Sequence, residues 1–168
     1  MNITQNTQNA LQELINQCFQ CNRNADRWVS LLAVKFVCPK TSKLLHLDVA
    51  HYFPAVADII GETTLERYNI AVLYGATEAP DEKNVNSVRD IINNFMQMGI
   101  DFQNILIGTA KIAFENNDIQ IYSDILSILG NYNQIVEQLI LLYDKCNQYT
   151  DMMAFDHDIT DFWILENK

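Results

Sequence analysis

Apolar residues recur every three or four positions in four long segments of this chain, which is the spacing of amphipathic helices. The first segment begins at Ala10 and continues to Lys35, shortly before Pro39. It predicts a first helix that follows a polar leader over residues 1–9. No segment alternates apolar and polar residues as a half-buried strand does, so the chain is predicted to be all-α.

The second segment follows a short link and predicts a helix that runs from a cap at Ser42 to Tyr74 and stops at Gly75. Pro54 falls inside this helix and leaves two alternatives open. The proline either kinks one continuous helix or begins its main part, with residues 44–52 as a separate helical piece. Residues 75–86 collect Gly, Pro, Asp and Asn and predict a loop.

Two further segments have the same apolar rhythm. The third helix is predicted from a cap at Asn86 or Ser87 to Ala113, where the sequence ENND at 115–118 interrupts the pattern. The fourth helix is predicted over 119–146. Short links between helices favour antiparallel neighbours, so the pattern predicts an antiparallel four-helix bundle.

The whole chain, 1–168, is predicted to form one domain, in which residues 150–168 are a C-terminal extension with a short fifth helix. The loop over 75–86 leaves two connections open. It either joins adjacent helix ends or crosses the length of the bundle, since about ten extended residues span roughly 33 Å.

Charge and cysteine usage exclude several classes of function. The net charge of −10 argues against binding to a phosphate backbone, and no basic residue precedes Arg23, so a DNA-binding N-terminal arm is disfavoured. Without a signal-like start or an apolar run of about 18 residues, the protein is predicted to be cytoplasmic and not membrane-bound. Its four cysteines are then predicted to be reduced, and the pair Cys18 and Cys21 to be buried thiols rather than a metal or redox pair.

The predicted second helix carries the candidate chemistry. Asp58, Glu62 and Glu66 follow one another at four-residue intervals and would share one helix face, with His51 earlier on the same helix. Carboxylates and imidazoles on facing helices hold metals in helix bundles. A solvated outer face is the alternative, and the two interpretations stay open.

These parts, in this order, resemble the ferritin-like superfamily and within it the Dps-type mini-ferritins, over roughly residues 11–148. One region of resemblance is 51–75, where a histidine, His51, is followed fifteen residues later by an acid, Glu66. The other is AKIAFENNDIQIYSDILSILGNYNQIVEQLILL, which resembles the last helix pair of those proteins with its acidic, asparagine-rich hinge.

The resemblance implies a homo-oligomer that binds and oxidises iron in protection against oxidative stress, with ferroxidase-type activity. It implies His51 and Glu66 as iron ligands, followed by Asp58 and Glu62. Pro39 and Ile70 stand where the family has further ligands. An iron pair inside the bundle is not expected, because no Glu-x-x-His pair occurs in the sequence. The competing hypothesis is therefore a structural or binding module that keeps the bundle without metal chemistry.

Two further expectations concern surfaces. The first two helices hold more apolar and aromatic side chains than a four-helix core needs, which predicts a symmetric oligomer, at least a dimer, through them. The C-terminal extension carries an acidic and histidine cluster for which capping or solvation is favoured over metal binding. Its members are Asp156, His157, Asp158 and Asp161.

Overall fold

The computed structural model describes residues 2–165, and over this range the chain is helical without a strand. The all-α prediction is confirmed. The helices are α1 (Gln5–Val34), α2 (Pro39–Leu45), α3 (Tyr52–Ile59), α4 (Val88–Glu115), α5 (Ile119–Gln148) and α6 (Met152–Phe162), with π-helical segments at His46–Ala50 and Ile60–Leu65 and a 3-10 turn at Glu66–Tyr68.

The helix α1 begins at Gln5, so its first turn lies within the polar leader that the sequence placed before the apolar pattern. Thr4 caps the helix, because its side chain accepts a hydrogen bond from the amide of Thr7. The Thr4 hydroxyl in turn donates to Asp118 at 2.7 Å, which ties this helix end to the hinge between α4 and α5. The helix therefore extends into polar residues here, because the Thr4 cap and its contact with Asp118 stabilise the first turn in place of buried apolar side chains.

The second helical run begins at Pro39 instead of at a Ser42 cap. Proline suits the first turn of a helix because its missing N–H would have no partner there. The buried carboxylate of Asp156 accepts hydrogen bonds from the amides of Lys40 at 3.3 Å and Thr41 at 2.7 Å and so supplies the cap. The hydroxyl of Ser42 instead donates to the carbonyl of Val29 on α1.

Pro54 lies in the first turn of α3, directly after the π-helical segment His46–Ala50. A proline in a continuous α-helix would leave the carbonyl four residues earlier, that of Ala50, without its amide donor. The side chain of Asn22 on α1 donates to this carbonyl at 3.0 Å. The residues before Pro54 form separate helical pieces, as one of the two alternatives predicted, but α3 begins at Tyr52, so Pro54 is its third residue rather than its first.

The second run ends at Tyr68, so the prediction that it continues to Tyr74 was wrong. Asn69 adopts the left-handed conformation, with φ of 60°, and asparagine is one of the few residues that enter it readily. The amide of Ile70 then donates back to the carbonyl of Leu65. Ile70 and Val72 match the apolar spacing of a helix because both side chains are half-buried, but the segment that contains them is extended.

Residues 69–86, here called the strap, extend along α1 in the same direction as that helix. Asparagine and glutamine side chains, spaced four residues apart on α1, accept hydrogen bonds from backbone N–H groups of the strap. The acceptor and donor pairs are Gln12 and Leu73, Asn16 and Gly75, Gln20 and Glu78, and Asn24 and Asp81, at 2.7–3.1 Å.

The strap therefore crosses the length of the bundle. It begins where the second run ends, beside the start of α1, and it finishes near Lys35, whose ammonium donates to the carbonyl of Val85. The helix α4 then runs back from its Ser87 cap, antiparallel to α1, and α5 returns after a turn at Asn117. The direction of the chain is therefore up in α1, down in the second run, up along the strap, down in α4 and up in α5. The helix α6 lies at the far end, against α2.

The boundaries of the last three helices agree with the sequence prediction, including the ENND interruption and the short helix in the C-terminal extension. Ser87, rather than Asn86, caps α4 by accepting the amide of Asp90. Among residues 2–165, no helix is both long and apolar enough to cross a lipid bilayer.

Candidate functional site

The four predicted metal ligands lie along the outside of the second run. His51 precedes α3, Asp58 lies in α3, Glu62 in the second π-helical segment and Glu66 in the 3-10 turn. All four are exposed, and in the described range the three carboxylates form no ion pair with a basic side chain. No group of three or more His, Cys, Asp or Glu side chains able to hold a metal forms within residues 2–165.

The imidazole of His51 lies against that of His46, with ring centroids 4.4 Å apart. His46 Nε2 is 3.7 Å from a carboxylate oxygen of Asp26 on α1. In an α-helix a five-residue interval turns side chains to different faces, but the π-helical hydrogen bond from the His51 amide to the His46 carbonyl brings them together. Sequence reasoning missed this pair because it assumed α-helical spacing.

The interior of the bundle is closed by aromatic rings. Tyr52 stacks on Tyr132 at 5.3 Å between centroids, and Phe102 contacts both Tyr132 and Phe53 edge-on at 5.1 Å. Phe53, Phe102 and Tyr132 have no exposed surface. The Tyr132 hydroxyl donates to the carbonyl of Gly99 at 2.9 Å, so its polar atom is paired within the core.

The predicted burial of Cys18 and Cys21 is confirmed, with 0% and 7% of their surfaces exposed. Burial raises the pKa of both thiols, helped in Cys21 by the nearby Asp101 charge, and brings that of Cys21 to about 12. Burial likewise raises the pKa of Tyr52 and of Tyr132. These groups are therefore neutral at physiological pH, as is typical of thiols and hydroxyls that pack in a core.

A polar cleft of about 230 Å³ lies between α1, α4 and the strap. Its floor is apolar and includes Cys21, Trp28 and Phe102, while Asp81 and Asp101 stand in its wall. Trp28 is 3% exposed and its indole N–H donates to the carbonyl of Asp81 at 3.0 Å. Trp28 thus packs in the core and holds the strap. Gln20, Asn24 and Asn94 also hydrogen-bond the strap backbone.

The acidic cluster of the C-terminal extension is divided among separate contacts. Asp156 caps α2, as the capping interpretation holds. Asp158 accepts hydrogen bonds from the Tyr149 hydroxyl and pairs with its neighbour His157, both at 2.9 Å. Asp161 is exposed. These contacts hold α6 in place and give the cluster a structural role.

The apolar surplus expected on the first two helices is mostly buried within the single chain. Val34, Leu47 and Ile59 are the large exposed apolar side chains in α1 and in the described second run. Leu73 and Tyr74, which the sequence placed at the end of the second helix, are also exposed, in the strap. The interface through the first two helices stays a prediction. Other large apolar side chains are exposed at the hinge end of α4 and α5, including Phe114, which is 57% exposed, and Ile119, which is 51% exposed.

No protein-family model matches the chain, and no curated protein is significantly similar to it in sequence.

Proposed function

We propose that the chain is a ferritin-like bundle whose interior serves packing alone and which acts as a structural or binding module. The aromatic cluster of Tyr52, Phe53, Phe102 and Tyr132 carries this proposal. An iron pair inside a bundle needs carboxylates and histidines that project inward from several helices. The donors present at that level are buried thiols and tyrosine hydroxyls whose pKa values are raised by burial, and this set does not fit such an iron pair.

The connectivity supports the ferritin-like part of the proposal. Ferritin-like folds have one long crossover between the second and third helices of a four-helix bundle. The strap over residues 69–86 has that position and runs the length of α1.

A second candidate function is iron binding on the outer face of the second run, with the partner subunit of a homo-oligomer completing the ligand set. The exposed, unpaired carboxylates of Asp58, Glu62 and Glu66 favour it, together with the exposed imidazole of His51. Carboxylate and imidazole ligands suit iron(II). One helical run supplies few of the ligands that an iron centre needs, so binding by a single chain would be weak.

An anaerobic iron(II) titration separates the two functions. If iron binds on the outer face, wild type takes up iron. His51→Ala and Glu66→Ala should each then lower the affinity for iron(II) by about 10–100-fold, the range seen when groups that support a metal site are removed. Asp144→Ala is a matched control, since Asp144 is an exposed acid on α5. For the packing module alone, none of these proteins binds iron.

Both functions would be contradicted if wild type takes up iron, Tyr52→Phe abolishes this uptake, and His51→Ala leaves it unchanged. Sedimentation of the same samples tests the oligomer: a single species of 19.3 kDa, the mass of one chain, across micromolar concentrations would reject it.

A further inference from the structure

Three sulfur-bearing residues from separate elements meet at the far end of the bundle. Cys38 lies in the link before α2, Cys146 in the last turn of α5, and Met152 at the start of α6. Cys38 and Cys146 are 1% and 0% exposed. The topology therefore gathers residues that are 114 positions apart in the chain.

The distances between these groups are short. Cys146 Sγ is 3.9 Å from Met152 Sδ, and Cys38 Sγ is 3.9 Å from the backbone carbonyl oxygen of the same methionine. Burial raises the pKa of both thiols to about 11, helped in Cys38 by the charge of Asp156. For Cys146 the charge of Arg89 opposes this and the neighbouring Cys38 adds to it. The two thiols thus contact the same methionine, Cys146 at its sulfur and Cys38 at its backbone carbonyl.

We propose that Cys38, Cys146 and Met152 form a binding site for a single soft monovalent metal ion of the copper(I) type. Thiolate and thioether ligands select copper(I) over hard cations. With metal–sulfur bonds of about 2.3 Å, two ligands of a trigonal site stand about 4 Å apart, which is the separation of the Cys146 and Met152 sulfurs. This site is independent of the iron ligands on the outer face of the second run.

The binding step balances without a redox partner. Each thiol forms one sulfur–copper bond and releases its proton to solvent, the thioether donates a lone pair, and copper stays monovalent. The two thiolates and the ion together carry one negative charge, between the Arg89 guanidinium that acts on Cys146 and the Asp156 carboxylate that acts on Cys38. Met152 is only half-buried and Met153 is 76% exposed, so the ion can enter along the start of α6.

The alternative role of these side chains is ordinary packing, since free cysteine and methionine are common core residues. The chain offers a matched control for it. Cys18 is also a fully buried thiol, but it lies on α1 beside Cys21 and the aromatic cluster. A general affinity of buried thiols for copper would involve Cys18 as well.

Anaerobic competition between the full-length protein and a chromogenic copper(I) chelator tests the site, with copper(I) as the probe. We expect one equivalent bound per chain and only sulfur neighbours in the copper X-ray absorption spectrum. Cys38→Ser and Cys146→Ser should abolish binding, and Cys18→Ser should leave it unchanged. Met152→Leu, which preserves side-chain volume, should weaken it by about tenfold or more, the smallest effect seen for groups that support metal sites.

Circular dichroism of each variant ensures that a loss of binding is not a loss of fold, and Met152→Leu keeps the test decisive if a serine variant unfolds. The site is refuted if wild type fails to compete for copper(I). It is refuted equally if Met152→Leu binds as tightly as wild type, or if Cys18→Ser loses as much affinity as the folded Cys38 and Cys146 variants.

Discussion

Truncation of Phe102 tests whether the interior of the bundle is a packed aromatic core. The ring of Phe102 has no exposed surface and contacts Phe53 and Tyr132, each at 5.1 Å between centroids. Replacing a fully buried phenylalanine with alanine costs about 3–5 kcal/mol, because burial is lost and a cavity remains. For a domain of this size each kcal/mol corresponds to about 2–4 °C, so the melting temperature should fall by about 6–20 °C.

Phe114→Ala is the matched control for Phe102→Ala. Both residues lie on α4, but Phe114 is in its last turn and is 57% exposed. Its truncation should change the free energy of unfolding by less than about 1 kcal/mol. Urea unfolding followed by circular dichroism measures both variants. If Phe102→Ala costs no more than Phe114→Ala, the interior is not packed as described and the proposal built on it fails.

Three further predictions concern the contacts that hold the strap and the helix ends. A Cβ on Gly75 would lie 2.5 Å from the side-chain amide nitrogen of Asn16. Gly75→Ala should therefore destabilise the wild-type protein, but in the Asn16→Ala variant, which lacks that group, it should stabilise by about 0.4–1 kcal/mol. A double-mutant cycle in urea measures both effects. Burial acts to raise the pKa of Asp118, but hydrogen bonds from Thr7 and Thr4 outweigh it and the folded pKa is lowered. The stabilisation that Asp118 gives is then present above its unfolded pKa, about 3.9, and is lost as the pH falls through the folded value. The free energy of unfolding of wild type, measured in urea, should therefore exceed that of Asp118→Asn by less at about pH 3 than at about pH 7. A difference that does not depend on pH would contradict this. Asp156→Ala leaves the buried amide of Thr41 without its acceptor and should cost about 1–3 kcal/mol, whereas the exposed Asp161→Ala should stay within about 0.5 kcal/mol in the same thermal and urea measurements.

The sequence predicted the helices whose ends are determined locally. Ser87 caps α4 through its own side chain, and Asn117 ends the turn before α5 by adopting a left-handed conformation, so nearby residues suffice to identify both boundaries. The end of the second run depends on tertiary contacts. Ile70 and Val72 preserve a helical apolar rhythm, but amide side chains of α1 bind the backbone of the strap and replace the helical hydrogen bonds.

The candidate site was predicted only in part for a related reason. The four-residue spacing of Asp58, Glu62 and Glu66 assumes an unbroken α-helix, whereas the run passes through a π-helical segment and a 3-10 turn. The same assumption concealed the contact between His46 and His51. The sulfur cluster joins distant parts of the chain, and no local spacing could have indicated it.

A crystal structure of protein grown anaerobically with iron(II), with an anomalous difference map at the iron edge, tests the central claim most directly. The closed aromatic interior predicts no iron peak among Phe53, Phe102 and Tyr132, and it predicts that any peak lies on the outer face of the second run, beside His51 or Glu66. An iron peak between the four helices, with the aromatic rings displaced from the contacts described above, would contradict the account.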